Sequence, residues 1–211
     1  MSSLDKLLSI ASSSLSERKP EISGQSHRLA GALADQLLGM LFQRNGFYAL
    51  ESALHVFPTH SSQQEIGLCD WNENILWRSA YKGLADGCLF FAEDVFGGQF
   101  CIKDNKVCIF DPETGALEYL ADDIESWVKI LLSDYEALTG YPLAHQWQKK
   151  NGQLPTGKRL LPKVPFVLGG EFVLDNLYLA DAVKGMRFRA DIASQIKDLP
   201  DGAQVKFNIE N

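Results

Sequence analysis

The amino-acid sequence predicts an α+β fold, in which helices pack against an antiparallel or mixed sheet of about five to six strands. Two observations predict this class. Apolar residues recur at helical spacing on both sides of the middle of the chain, whereas much of residues 88–120 alternates with the period of a strand. Turn residues separate the alternating runs. The chain has 211 residues, which is long enough to bury one hydrophobic core without disulfides or bound metal.

The N-terminal part of the chain is predicted to be helical. Residues 1–25 should form a short amphipathic helix followed by a flexible linker. The linker is predicted because nine of the first 26 residues are serine. A single domain then spans residues 26–211, and its first helix begins near His27. The spacing of apolar residues predicts a short helix from Phe47, which Pro58 ends, and a further helix over residues 72–84.

The middle of the chain predicts an antiparallel meander of strands. Its four runs are residues 88–94, 97–102, 106–111 and 116–120. A two-residue turn at Asp104-Asn105 places Cys101 opposite Cys108, with one hairpin face buried and the other partly in contact with water. These two cysteines are either a cross-strand disulfide or two free thiols, and a reducing compartment favours free thiols.

The remaining elements follow from capping signals and periodicity. An Asp-x-x-Glu motif at residues 122–125 precedes the clearest helix, and a shorter helix is expected from Pro142 to Lys150. From about residue 160 the chain is treated as a C-terminal extension of the same domain. It is predicted to contain an extended stretch at 172–179, a helix near 181–196, and a last strand with Val205, Phe207 and Ile209 on one face.

The charge of the chain is unevenly distributed. The net charge is −7, yet residues 86–125 alone hold ten acidic residues and two lysines, a net charge of −8. This excess is either a solvated acidic surface or a surface for a basic partner. The negative net charge of the chain argues against a protein whose whole surface binds nucleic acid or anionic lipid. With no apolar run long enough to span a bilayer and no basic, apolar leader, the sequence predicts a cytoplasmic protein without membrane association.

No local motif in the sequence indicates a catalytic or metal site. Phosphate-binding loops, the dinucleotide fingerprint and the zinc-protease motif are all missing, so we expect neither an enzyme nor a cofactor or metal. The best acid–base candidates are the carboxyl pairs Glu93-Asp94 and Asp111-x-Glu113, which lie at strand ends. An enzyme that uses them is retained as an alternative.

An ordered set of segments resembles a known family. The runs LFFAEDVFGGQFCI and VCIFDPETG precede the helical run IESWVKILLSDYEALTG, and a segment with Trp77 and Tyr81 comes before them. Together they resemble the SUKH superfamily, whose founding members are the fungal Smi/Knr cell-wall regulators. The resemblance covers about half of the chain, from Phe47 to Gln153, and the two ends of the chain lie outside it.

The resemblance implies a SUKH-like α+β fold and a non-enzymatic, protein-binding role. Bacterial members are mostly immunity proteins that neutralise a toxin domain, often a nuclease, in the cell that produces it. The expected partner is therefore a basic toxin domain, and the oligomeric state is left open. The candidate partner-binding residues are Trp71, Asp94, Phe96, Asp111, Glu113, Glu118 and Tyr119. The alternative is a scaffold or regulatory adaptor of the Smi/Knr type, acting through the basic segment 149–163 or the C-terminal helix.

Overall fold

The protein is described by a computed structural model over residues 1–199, and the predicted α+β class is confirmed. A six-stranded antiparallel sheet has its strands in chain order, and a separate two-stranded sheet follows it. The large sheet consists of β1 (Phe47–Ala49), β2 (Leu54–Val56), β3 (Leu89–Asp94), β4 (Gln99–Lys103), β5 (Lys106–Phe110) and β6 (Leu117–Ala121). The small sheet pairs β7 (Lys158–Pro162) with β8 (Leu177–Asp181).

Helices pack against the large sheet and connect it to the small one. The α-helices are α1 (Ser3–Ser9), α2 (Gly24–Ala30), α3 (Ala34–Gln43), α4 (Leu68–Trp71), α5 (Ile124–Ser133), α6 (Tyr135–Thr139), α7 (Tyr141–Asn151) and α8 (Ala182–Ile196). Short 3-10 helices lie at Gly31–Leu33, Arg78–Tyr81, Phe166–Leu168 and Leu174–Asn176. None of the helices in residues 1–199 has both the length and the apolar character that crossing a bilayer requires. The predicted last strand, around Val205, lies outside the described residues.

The β4–β5 hairpin has the predicted register. Cys101 pairs with Cys108 across the two strands, and both are free thiols. The turn residues Asp104 and Asn105 have φ of 50° and 60°, which suits the short polar side chains of Asp and Asn. The face expected to contact water is only partly open, because Gln99 and Cys101 are fully buried. Other parts of the chain therefore cover this face where β4 contributes Gln99 and Cys101.

The predicted helix at Phe47 is wrong. Residues 47–56 form the β1–β2 hairpin, with Phe47 opposite Val56. Its turn is made by Leu50, Glu51 and Ser52, which all have φ between 52° and 65°. Non-glycine residues seldom adopt this left-handed conformation, so no turn signal marks the hairpin in the sequence.

The predicted helix over residues 72–84 is also wrong, although Trp77 and Tyr81 are core residues as expected. The segment contains turns and one 3-10 helix after the single turn of α4. Asn72 explains the early end of α4. Its side-chain amide donates to the carbonyl oxygens of Leu68 and Phe90, at 2.8 and 2.7 Å, and its Oδ1 accepts from the Phe90 amide at 2.9 Å. Asn72 thus makes the hydrogen bonds to the Phe90 backbone that a neighbouring strand would make. Phe90 adjoins the bulge that interrupts the pairing of β3 with β4.

Replacing Asn72 with alanine should lower the free energy of unfolding by about 2–3 kcal/mol, because three buried backbone bonds are lost together. The measurement is urea denaturation. Asn151→Ala is the matched control, since this exposed residue makes one side-chain bond, to Trp147, and its loss should cost about 0.5 kcal/mol. Equal losses in the two variants would contradict the assigned role of Asn72.

The N-terminal segment, including the stretch predicted as a linker, makes hydrogen bonds to the rest of the domain. The Glu125 carboxylate accepts from the backbone amides of Ser3 and Leu4, at 2.5 and 3.3 Å, and so caps α1. Past α1, the amide of Ser12 donates to the carbonyl oxygen of Tyr48 at 2.7 Å, which covers the outer edge of β1. The cap of α5 itself is Asp123, whose side chain accepts from the Ser126 amide.

Candidate functional site

A groove of about 410 Å³ lies where the end of β3, the β5–β6 turn and the C-terminal extension meet. We call it the aromatic groove. Its polar lining is Asp94, Asp111, Glu113 and Arg189, and its aromatic wall is Phe96, Phe166 and Phe172. It therefore brings together four of the seven residues that the sequence nominated, namely Asp94, Phe96, Asp111 and Glu113.

Asp94 is fixed at the end of β3 by the turn that follows it. Its Oδ1 accepts from the backbone amides of Phe96 and Gly98, at 2.7 and 2.8 Å. Residue 98 must be glycine, because a Cβ there would lie 2.4 Å from the Asp94 carboxylate. Burial raises the pKa of Asp94 to about 7, even though the two amide donors favour the ionised form.

Glu113 is the most buried acid of the groove, and Asp111 positions it. The Asp111 carboxylate accepts from the Glu113 amide at 2.8 Å and from the Thr114 hydroxyl at 2.8 Å, which closes the turn. The Glu113 side chain is buried, and its Oε2 accepts from the Val167 amide at 2.8 Å. Its Oε1 has no hydrogen-bond partner. Burial raises the pKa of Glu113.

The aromatic wall combines one residue from the sheet with two from the extension. Phe166 and Phe172 stack with their ring centroids 3.8 Å apart, and Phe96 meets both rings edge-on at 5.5 and 5.9 Å. Phe172 is 61% exposed. Large aromatic surface left open beside carboxyl groups is typical of protein-binding sites.

Arg189 of α8 holds the wall in place and does not pair with the acids. Its guanidinium donates to the carbonyl oxygens of Phe96, at 2.6 Å, and Gly185, at 3.2 Å. A Cβ at Gly97, where φ is 80°, would lie 2.6 Å from the Arg189 guanidinium, so only glycine allows this close approach.

Three nominated residues do not join the groove. Trp71 is 1% exposed, and its indole Nε1 donates to Gln99 Oε1 at 2.8 Å, so its assignment as a surface anchor is wrong. Its aromatic ring belongs to the core, where it stacks on Phe57 with the ring centroids 4.8 Å apart. Glu118 and Tyr119 are exposed on β6, the last strand of the sheet, and do not line the groove.

Glu93 is separated from Asp94 because neighbouring side chains of a strand point to opposite faces. It lies in a buried charge cluster with His55, Glu65 and Arg159. Arg159 Nη2 is 2.7 Å from Glu93 Oε1, and His55 Nδ1 is 3.0 Å from the same oxygen. Burial pushes the pKa of Glu93 upward, but Arg159, His55 and Gln99 together hold it below its ordinary value. The two carboxyl pairs thus do not form one acid–base set.

The −8 stretch does not form one continuous acidic face. Glu93 and Glu113 are buried, Glu125 caps α1, and Asp122 pairs with Lys106 at 2.6 Å. The basic segment 149–163 does not form one basic surface either. Arg159 is buried against Glu93, and Lys158 lies 3.5 Å from Asp181. A broad charged surface is therefore a poor description of either segment.

The residues that sequence reasoning missed are Phe166, Phe172 and Arg189, all in the C-terminal extension. The one local signal was the pair of phenylalanines that flank Gly169-Gly170, which indicates a turn with aromatic residues on both sides. Arg189 is one of several basic residues in α8, and nothing in its neighbours marks it as buried.

Comparison with known proteins gives a structural likeness. No family model matches the chain, and no curated protein matches it. The crystal structure of Atu4351 from Agrobacterium tumefaciens is similar with a TM-score of 0.52 and 15% sequence identity, over 82% of this chain and 83% of that one. At this identity the likeness shows that the two chains share a fold.

Proposed function

We propose that the protein is a non-enzymatic binding protein that neutralises a cognate toxin domain in the cytoplasm of the cell that makes it. The proposal takes its class from the resemblance to SUKH immunity proteins and its binding surface from the structure. The surface is formed largely by the C-terminal extension, which lies outside that resemblance.

The observation that carries the proposal is a concentration of exposed apolar side chains. Among residues 1–199, thirteen large hydrophobic residues are exposed, and seven of them fall between residues 164 and 188. Four of these seven line two adjoining openings, and we call them the docking face: Val167, Phe172, Tyr178 and Phe188. Scattered apolar residues are normal on a protein surface, but a concentration of this kind typically marks a protein-binding site.

The docking face includes part of the aromatic groove. A small cleft lined by Tyr178 and Phe188 shares Glu113 and Arg189 with the groove that Phe172 lines. The two openings therefore adjoin at Glu113 and Arg189, and a single partner can cover both. An apolar centre with carboxyl groups beside it favours a partner that offers apolar and basic side chains together.

The adaptor alternative differs in its partner, which would contact the basic segment 149–163 or the C-terminal helix. A toxin gene beside this one favours the immunity role, whereas an isolated gene favours an adaptor. The test therefore begins with the toxin domain that the neighbouring gene encodes. Wild-type protein should restore growth to cells that express that domain and should bind it in calorimetry.

The double variant Phe172→Asp/Phe188→Asp should weaken binding at least 100-fold and abolish growth rescue, because two exposed aromatic anchors are replaced by charges. The matched control is Phe42→Asp/Ile75→Asp, which makes the same change at two exposed residues outside the docking face. The control should bind like the wild type. Unchanged binding by the docking-face variant, with both variants folded, would contradict the proposed surface.

A further inference from the structure

We propose that the aromatic groove is a recognition site for the guanidinium group of an arginine side chain that the partner protein inserts. The inference rests on the proposed function in one respect, that the ligand arrives as part of a protein. It assigns the chemistry of the residue that occupies the groove.

The first argument is the state of Glu113. The residue is 4% exposed and lines the groove, and its Oε2 accepts from the Val167 amide. Its Oε1 is buried without a partner. A buried carboxyl oxygen with no donor is unfavourable unless a donor is supplied, and a cationic N–H donor is the most favourable one.

The second argument is that carboxyl groups outnumber cationic side chains at the groove. Three carboxyl groups, those of Asp94, Asp111 and Glu113, line it together with one guanidinium. That guanidinium, on Arg189, is engaged by the backbone oxygens of Phe96 and Gly185. Because Arg189 is engaged elsewhere, a ligand can supply a second cation to pair with these carboxyl groups. Over residues 1–199 no three His, Cys, Asp or Glu side chains are gathered closely enough to hold a metal ion, so an extended organic cation fits the spacing better.

The third argument distinguishes arginine from lysine. Phe166 and Phe172, stacked on each other, line the groove with Phe96 at their edges, and Phe172 is 61% exposed, so aromatic surface remains free for a ligand. A guanidinium is planar, stacks on aromatic faces and presents several donors in a fixed fork, whereas an ammonium is a compact and strongly hydrated charge. A wall for stacking beside carboxyl acceptors matches the guanidinium.

The test uses three peptides that differ in one residue: acetyl-Leu-Arg-Leu-amide, its citrulline analogue and its lysine analogue. Citrulline keeps the shape of arginine without the charge. Binding is followed by NMR through the amides of Val167 and Gly98, which are bonded to Glu113 and Asp94. The arginine peptide should shift both amides saturably, and the citrulline and lysine peptides should bind at least tenfold and about threefold more weakly.

Glu113→Gln should weaken binding of the arginine peptide at least tenfold, because the amide keeps the bond to Val167 but loses the charge. Glu118→Gln, on the exposed strand β6, is the matched control and should bind like the wild type. If Glu113→Gln does not fold, Asp111→Asn takes its place with the same expectation, at a side chain that is exposed. Equal binding of arginine and citrulline peptides, or unchanged binding in the groove variant, would overturn the inference.

The outcomes also separate this inference from the proposed function. Growth rescue without selective arginine binding removes the arginine site and leaves the toxin-binding role. Selective, Glu113-dependent arginine binding without any rescue removes the immunity role and leaves the site as part of another protein-binding function.

Discussion

Replacing Arg159 with methionine should lower the free energy of unfolding by about 3–5 kcal/mol, because the change leaves Glu93 buried without its cation. Both side chains are nearly inaccessible, Arg159 at 1% and Glu93 at 2% exposure. Their closest atoms, Arg159 Nη2 and Glu93 Oε1, are 2.7 Å apart. The pair joins β7 of the small sheet to β3 of the large one, so its loss should also loosen the extension that carries the docking face.

The other partners of Glu93 are uncharged donors in the wild-type fold. His55 donates through Nδ1 and Gln99 donates through Nε2, at 3.0 and 3.2 Å, but both are neutral when the protein is folded at neutral pH. A carboxylate that keeps two neutral donors and loses its counter-ion remains costly to bury. The expected result is therefore a larger loss than that of an ordinary buried truncation of similar volume.

Two further variants make the test specific. Lys158→Met, at the preceding residue, removes a partly exposed pair with Asp181 and should cost less than about 1 kcal/mol. The double variant Glu93→Gln/Arg159→Met should recover most of the lost stability, since it removes both charges together. Urea denaturation at pH 7.5 gives all three values. Equal losses for Arg159→Met and Lys158→Met, or no recovery in the double variant, would contradict the role of the pair.

The elements that could be predicted are those whose signals are local. In α5 the periodic residues Ile124, Trp127, Val128 and Leu131 are all buried, because a helix longer than two turns repeats its signal several times. The β4–β5 register followed from a two-residue turn with Asp104 and Asn105. By contrast, the β1–β2 turn uses Leu50, Glu51 and Ser52 in the left-handed region, which a sequence does not signal.

The candidate site could be predicted only in part, because its two halves come from distant segments. Asp94, Phe96, Asp111 and Glu113 were recognisable as residues at strand ends, where loops carry function. Their burial depends on Phe166 and Arg189, which follow Asp94 by 72 and 95 positions and share no motif with it. The same limit explains Trp71. A one-turn helix has no repeating pattern to show which side chain faces the core, and its bond to Gln99 forms only in the folded chain.

The buried charge cluster should also make the protein sensitive to acid through His55. Burial lowers the pKa of His55 from 6.5 to about 4, while its bond to Glu93 opposes that change. Between these values the unfolded chain binds a proton that the folded chain does not. Stability therefore falls as the pH falls through this window, and the loss amounts to about 3 kcal/mol below pH 4.

Protonation of Asp94 should change the free energy of unfolding in the opposite direction over much of the same pH range. Its pKa is raised to about 7 by burial, so the folded chain holds a proton that the unfolded chain releases above its own pKa of 3.8. Its contribution is fully present below pH 3.8 and is lost as the pH rises through 7. Because the two contributions partly cancel, the pH profile of the wild-type protein understates each of them.

Single substitutions separate the two contributions. The difference in unfolding free energy between the wild type and His55→Gln should be constant above pH 7. It should then change by about 3 kcal/mol, to the disadvantage of the wild type, as the pH falls from 6.5 to 4. The same difference for Asp94→Asn should slope the other way, because the wild type gains relative to the variant as Asp94 takes up its proton. Urea denaturation at half-unit pH intervals measures both curves. A flat His55 curve would mean that the buried cluster accepts the imidazolium, which two neighbouring carboxyl groups would then have to stabilise.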